Sequence, residues 1–326
     1  MIAVRGALSG VAGTVVPAAT DFSDSLDATV LTVNGYSTIR SNALSSLRLQ
    51  LQPGCSVLTA AINNNLTSGD LSIGVTIDGA FSTITPTSVS GLQLLKVAID
   101  PSSAHVVEIT HGWLAYGTGG SWIYAVSTDG GAPVVLPNPV VSRRLVVLGD
   151  SIATGSTASP LVQYGWIQRL RRTYAGRISM QGWGGATAGD WNGFASAALL
   201  AARLVGLCFG ASTREIWDEL GYNDWAGSWA MASVTSQLGV LYDAIHAADP
   251  GVRIWVQTPL LTGAEAATDS NGKTIAQFRT AKAAAASGRS WCTVVDGPTI
   301  LPGNAAVHPN TAGHATLATN IAAILG

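Results

Sequence analysis

Charge is scarce in this sequence: Asp, Glu, Lys and Arg make up 11% of its 326 residues, and the formal net charge is -2. Without a dense basic cluster there is no electrostatic footprint for a nucleic-acid backbone, and the short Arg169, Arg171, Arg172 group reads as a solvated helix face. Cysteine is scarce too. Cys55, Cys208 and Cys292 are odd in number, widely spaced and outside any C-x-x-C pattern, which leaves structural free thiols rather than a disulfide framework or a metal site. Long apolar runs are missing: none approaches the ~18 to 20 residues that span a bilayer. The opening "MIAVRGALSGVAGTVVPAAT" has one arginine, a weakly apolar stretch and a small-residue end, but it is glycine-rich and leucine-poor and makes a poor signal peptide. With 47% of residues apolar, the chain is expected to fold.

What is present divides into two rhythms. Over residues 1–138 the chain is rich in Ser, Thr, Gly and Asn, with short alternating apolar runs. "LSSLRLQLQ", "LSIGVTIDG", "LQLLKVAID" and "HVVEITHGW" are bounded by turn formers and predict an all-β, jelly-roll-like sandwich. "LPNPVVSRR", with Pro137 and Pro139, predicts a linker. Over 143–326 strands alternate with helices. The strands are expected at 144–149, 177–181, 215–220, 252–258 and 292–296. The helices are expected at about 163–175, 192–206, 230–248, 273–287 and 311–324. Five such units predict a parallel sheet in a flavodoxin-like three-layer α/β/α domain, with any ligand beyond the carboxyl ends of the strands.

Four strand ends carry reactive or hydrogen-bonding groups. In "VVLGDSIATG" Ser151 stands just past the first strand, either as a nucleophile among outward-pointing amides or as a simple helix cap. In "SMQGWGGATAGDW" Gly184 and Gly185 permit close backbone approach and an amide donor for an oxyanion, or form an ordinary turn. In "ELGYNDWAG" Asn223 offers a side-chain amide, although Asn-Asp is also a common turn pair. In "NAAVHPNTAGHATLA" Pro309 holds His308 out of the last helix, where it can serve as a general base or a structural histidine. His314 falls on that helix, where packing is its default role.

The order GDS, glycine turn, G-x-N-D and H-P-N resembles the SGNH hydrolase superfamily, also called the GDSL esterase/lipase family, over residues 143–326. The resemblance implies Ser151 as nucleophile and His308 as base. It places an oxyanion hole on the N–H groups of Ser151 and Gly185 and the Asn223 amide, and implies no metal or organic cofactor.

The sequence departs from the family at one place. Its usual D-x-x-H has Ala305 where the orienting aspartate belongs. A backbone carbonyl near Asn304 or Ala305 could hold the imidazole instead, giving a Ser-His dyad; Asp296, or Asp218 or Glu219 in "REIWDEL", are the alternatives.

A β-sandwich ahead of this domain, with the missing aspartate, resembles the two-domain carbohydrate esterase family two acetylesterases. That resemblance implies removal of acetyl or other short acyl groups from an acetylated carbohydrate. Trp183, Trp191, Trp225 and Trp229 lie within a few positions of the second and third strand ends, where their indoles could stack on sugar rings or simply pack in the core. The resemblance also implies a secreted or periplasmic protein, a cytoplasmic one remaining open. Two other readings stand: a general short-chain ester or lipid hydrolase, and a glycan-binding protein on an impaired hydrolase fold.

Overall fold

In the computed structural model, strand Arg143–Gly149 (β1) lies inside a parallel sheet with a strand on each side, and its alternating side chains feed both faces. The structure describes residues 14–15, 31–33, 36–38, 46–65, 73–85, 90–110, 114–115, 119–136, 141–159, 161–182, 184–192, 197–208, 210–261, 265–301 and 307–326. The expected linker at Pro137 and Pro139 and the weak leader-like stretch lie outside the described residues, apart from Thr14 and Val15.

The other strands of this sheet are β2 (Arg177–Gly182), β3 (Thr213–Asp218), β4 (Arg253–Gln257) and β5 (Cys292–Val295), in the order β2-β1-β3-β4-β5. Every pairing is parallel. This is the flavodoxin-like order, and its reversal at β1 and β3 opens a crevice beyond the strand ends. Helices α1 (Trp166–Arg171), α2 (Ala197–Cys208), α3 (Met231–Ala248), α4 (Ile275–Ala286) and α5 (Thr311–Leu325) supply the outer layers. On one face Val146, Leu148, Ile216 and Val256 pack with α2, α3 and α4 through Leu204, Leu238, Tyr242 and Phe278. On the other, Trp217 stacks at a tilt between Trp166 and Trp255, and α1 packs against α5.

The helix ends carry their own signals. Thr274 and Gln277 form a capping box on α4, and the Asn310 side chain caps α5 by accepting the Gly313 N–H, each cap contributing ~1 kcal/mol. The helix expected over 163–175 is divided: Leu161–Tyr164 and Trp166–Arg171 flank Gly165, whose extended ψ of 145° interrupts the first and starts the second. β3 ends at Asp218 rather than 220 because that carboxylate accepts the Leu220 N–H and turns the chain.

The N-terminal part is a sandwich of two antiparallel sheets. One orders Val134–Val135, Ser46–Leu51, His105–Thr110, Ile73–Ile77 and Ala80–Ile84. The other orders Thr14–Val15, Gly119–Thr128, Val57–Asn65 and Ser90–Ala98, with Leu114–Ala115 paired to Gly119–Thr128. Leu47, Leu49 and Val107 from the first sheet meet Leu58, Ile62 and Val126 from the second in one core. Contacts divide the chain into two compact units: 1–29, 39–139 and 160–163 in one, and 30–38, 140–159 and 164–326 in the other. Among the described residues no helix is long and apolar enough to cross a membrane.

Candidate active site

The tip of β1 is shaped by glycine. A Cβ on Gly149 would lie 2.2 Å from Ala153 Cβ, so the turn after β1 folds back tightly only because Gly149 lacks a side chain; one on Gly182 would lie 2.1 Å from the Gly149 carbonyl oxygen, so the end of β2 approaches β1 only because Gly182 lacks one. Beyond them Asp150 is fully buried, its Oδ1 accepting the Ile152 N–H at 2.8 Å and its Oδ2 the Asn223 amide at 2.9 Å. Ser151 then stands half-buried in the turn. Its carbonyl accepts from Ser156 N–H and Thr154 Oγ1.

Ser151 Oγ and His308 Nε2 are 2.7 Å apart, although 157 residues separate them in the chain. His308 stands three residues before the start of α5. Burial pushes its pKa below the usual histidine value, which favours the neutral imidazole, a form able to accept a proton at Nε2.

Gly185 has a φ of +84° and open space where a side chain would point, while a Cβ on neighbouring Gly184 would lie 3.8 Å from Ser151 Cβ. The glycine turn thus lies against the serine. Among the described residues no acceptor takes the N–H of Ser151 or of Gly185.

Asn223 lies in the first turn of the short helix Tyr222–Ala226, after Gly221, whose φ of +126° and contact with Pro259 leave no space for a side chain. Its Nδ2 donates to Asp150 Oδ2 at 2.9 Å and to the Ala186 carbonyl at 3.0 Å. The amide expected to face an oxyanion is therefore engaged with the nucleophile loop and the glycine turn. Asp224 adds a second tie by accepting the Ala188 N–H on both oxygens. Burial raises its pKa to about 6.

Behind Asn223 is a group of buried charges. Lys282 on α4, 1% exposed, donates to the Asp218 carbonyl and Oδ1, each at 3.1 Å, and to the Leu220 carbonyl. Tyr242 donates to the other Asp218 oxygen. Glu219 is buried, and neither carboxyl oxygen has a partner at full hydrogen-bond geometry among the described residues, the Trp166 side chain standing nearby. Burial, with Asp150 as the next cause, pushes its pKa far up and so favours the neutral acid. Asp218 and Glu219 therefore support the strand end, and neither pairs with His308. Asp296 does not reach the imidazole either: it is exposed and accepts from Thr258 and Thr299 hydroxyls. Asn304 and Ala305 lie outside the described residues.

The tryptophans separate. Trp225, expected at a sugar face, is 8% exposed, packs against Tyr222 and donates its indole N–H to the Lys273 carbonyl. Trp229 is 42% exposed. Trp183 and the side chain of Trp191 lie outside the described residues. His314 is buried, with Nε2 3.0 Å from the Ser156 carbonyl.

Several of these supporting groups are absent from the sequence reading. Asp150 and Asp224 sit inside GDS and G-x-N-D, so those motifs were the available signal. Lys282, within "AKAAAA", has no local signal because its burial depends on what α4 packs against.

No curated protein matches the chain in sequence. Among solved structures, the salicylyl-acyltransferase SsfX3 from a tetracycline biosynthetic pathway is 15% identical with a TM-score of 0.67, covering 86% of this chain and 82% of that one. A family two carbohydrate esterase from Cellvibrio japonicus is 19% identical with a TM-score of 0.62, covering 97% and 98%. One from Clostridium thermocellum, in complex with cellohexaose, is 15% identical with a TM-score of 0.61, covering 96% and 98%. At these identities the likeness is one of fold, and it takes in the β-sandwich as well as the parallel sheet. The model of the GDSL-like lipase/acylhydrolase family matches residues 147–316, over half of the sequence. That span runs from the strand before Ser151 to the helix after His308, and the chain belongs to the GDSL-like lipase/acylhydrolase family.

Proposed function

We propose that the protein is a serine esterase that removes acetyl or other short acyl groups from carbohydrate through an acyl-enzyme. The observation that carries this reading is the Ser151 Oγ to His308 Nε2 hydrogen bond of 2.7 Å. Ser151 Oγ attacks the ester carbonyl while His308 Nε2 takes its proton. The N–H groups of Ser151 and Gly185 receive the oxyanion. Asn223 adds a third donor by turning one proton from the Ala186 carbonyl to the oxyanion while the other stays on Asp150. The imidazolium then protonates the departing sugar oxygen. Water enters and attacks the acyl carbon while His308 takes its proton; the bond to Ser151 Oγ then breaks, the acyl group leaves as its acid, and the imidazolium returns the proton to Oγ, restoring the serine. These steps use a Ser-His dyad.

Carbohydrate as substrate is supported by the resemblance of the whole two-domain architecture to family two carbohydrate esterases, one of them in complex with cellohexaose. The exposed Trp229 offers a flat face for a sugar ring. Action on a polysaccharide would place the protein outside the cytoplasm, in the medium or the periplasm.

Acetate release from acetylated xylan, acetylated cello-oligosaccharides and p-nitrophenyl acetate, with Ser151→Ala as control, tests the reading. Release from the sugars that disappears in Ser151→Ala supports it. Turnover of the aryl ester and of lipid esters but of no sugar ester points to a general short-chain or lipid hydrolase. Binding of the polysaccharide without any release points to a glycan-binding protein.

A further inference from the structure

Between Ser151 and the histidine loop the backbone adopts a conformation its sequence disfavours. Thr157 has a φ of +71°, in the left-handed region that a β-branched residue rarely enters. The other non-glycine residues with positive φ among the described residues are Asp78, Ser228 and Leu261, none β-branched. Thr157 is exposed, so core packing does not account for a threonine there.

Its hydroxyl does. Thr157 Oγ1 donates to the Pro309 carbonyl at 2.6 Å, one peptide beyond His308. Two further bonds cross the same gap: Ser159 N–H to Thr311 Oγ1 at 3.3 Å, and His314 Nε2 to the Ser156 carbonyl at 3.0 Å. Ser156 in turn donates its N–H to the Ser151 carbonyl. The nucleophile turn and the base loop are thus joined by three side-chain-to-main-chain bonds, apart from the Ser-His bond itself. Because the proline ring fixes φ at Pro309, a held Pro309 carbonyl restricts the peptide that carries the imidazole.

We propose that Thr157 is a positioning residue, which clamps the His308–Pro309 backbone to the nucleophile turn and so orients the imidazole through its main chain. The inference rests on the esterase reading. It also gives the left-handed threonine a reason: the strained turn aims the hydroxyl across the gap.

Three variants separate the clamp from a structural role. Thr157→Val removes the hydroxyl and keeps the shape, Thr157→Ser keeps the hydroxyl, and Thr157→Gly releases the strain and removes the hydroxyl. Steady-state hydrolysis of p-nitrophenyl acetate, the rate of covalent reaction with a fluorophosphonate and the thermal midpoint are read for each. The clamp predicts that Val and Gly lower kcat and the phosphonylation rate by roughly ten- to a hundredfold with KM little changed. Ser stays near wild type, and the thermal midpoint of Gly is equal to or above that of wild type. Wild-type kcat and phosphonylation in Thr157→Val overturn the clamp and leave the esterase reading standing. A wild type that neither hydrolyses an ester nor reacts with the phosphonate overturns both.

Discussion

Asn223 donates its amide to Asp150, the residue directly before Ser151, at 2.9 Å. Through that bond and the one to the Ala186 carbonyl, a single side chain from the end of β3 ties the nucleophile turn to the glycine turn. Asn223→Ala is expected to lower kcat on p-nitrophenyl acetate by about 10²- to 10³-fold, the usual effect of losing an oxyanion donor. It should also lower the thermal midpoint, because Asp150 and Ala186 lose a buried donor. A kcat that stays near wild type would contradict the assignment.

Lys282 is the cation of the buried pair with Asp218. Lys282→Met leaves that carboxylate charged and unpaired in a dry interior, which should cost ~3 to 5 kcal/mol. Lys282→Met combined with Asp218→Asn should recover a large part of the loss. Urea denaturation of the two single variants and the double variant gives the coupling directly; additive losses would count against the pairing.

Stability should fall as pH rises. Buried Glu219 keeps its proton above the pH at which the unfolded chain releases it, about 4.5. Between that pH and the raised folded value the folded state binds more protons, so each unit of pH lowers stability. Asp150 and Asp224 act with the same sign. Glu219→Gln removes one of these contributions, and the decline of the thermal midpoint between pH 5 and 8 should flatten. An unchanged slope would mean that Glu219 does not hold its proton.

His308 must be neutral to accept the serine proton, and burial lowers its pKa from 6.5. Activity is therefore expected to be lost as pH falls through a value below 6.5. Ala305→Asp supplies the carboxylate of the family's D-x-x-H, favours the imidazolium and should move that acid limb of kcat/KM to higher pH. If the limb does not move, an aspartate at 305 does not reach the imidazole.

The parallel sheet was legible because its strands are short segments with an apolar centre, each followed by a turn, and its helices lie between them. The sandwich was legible in part. Its strands Val57–Asn65 and Gly119–Thr128 escaped the alternating pattern, since "VLTAAINNN" ends in three asparagines and "GGSWIYAVST" begins with two glycines. That Ser151 and His308 come together was readable from motifs standing after the first and the last strand of the sheet. Their supports were not: the position of Lys282 beneath β3 follows from how α4 packs, and the Thr157 contact joins residues 152 positions apart. Trp225 shows the opposite limit, since proximity to a motif in sequence did not distinguish a core indole from an exposed one such as Trp229.

The most direct test of the account is covalent labelling by a fluorophosphonate, followed by peptide mass mapping of wild type, Ser151→Ala and His308→Ala. The account predicts one adduct on wild type, located on Ser151, absent in Ser151→Ala and slowed by orders of magnitude in His308→Ala. An unlabelled wild type, or an adduct on Ser151 that forms equally fast without His308, would contradict the dyad.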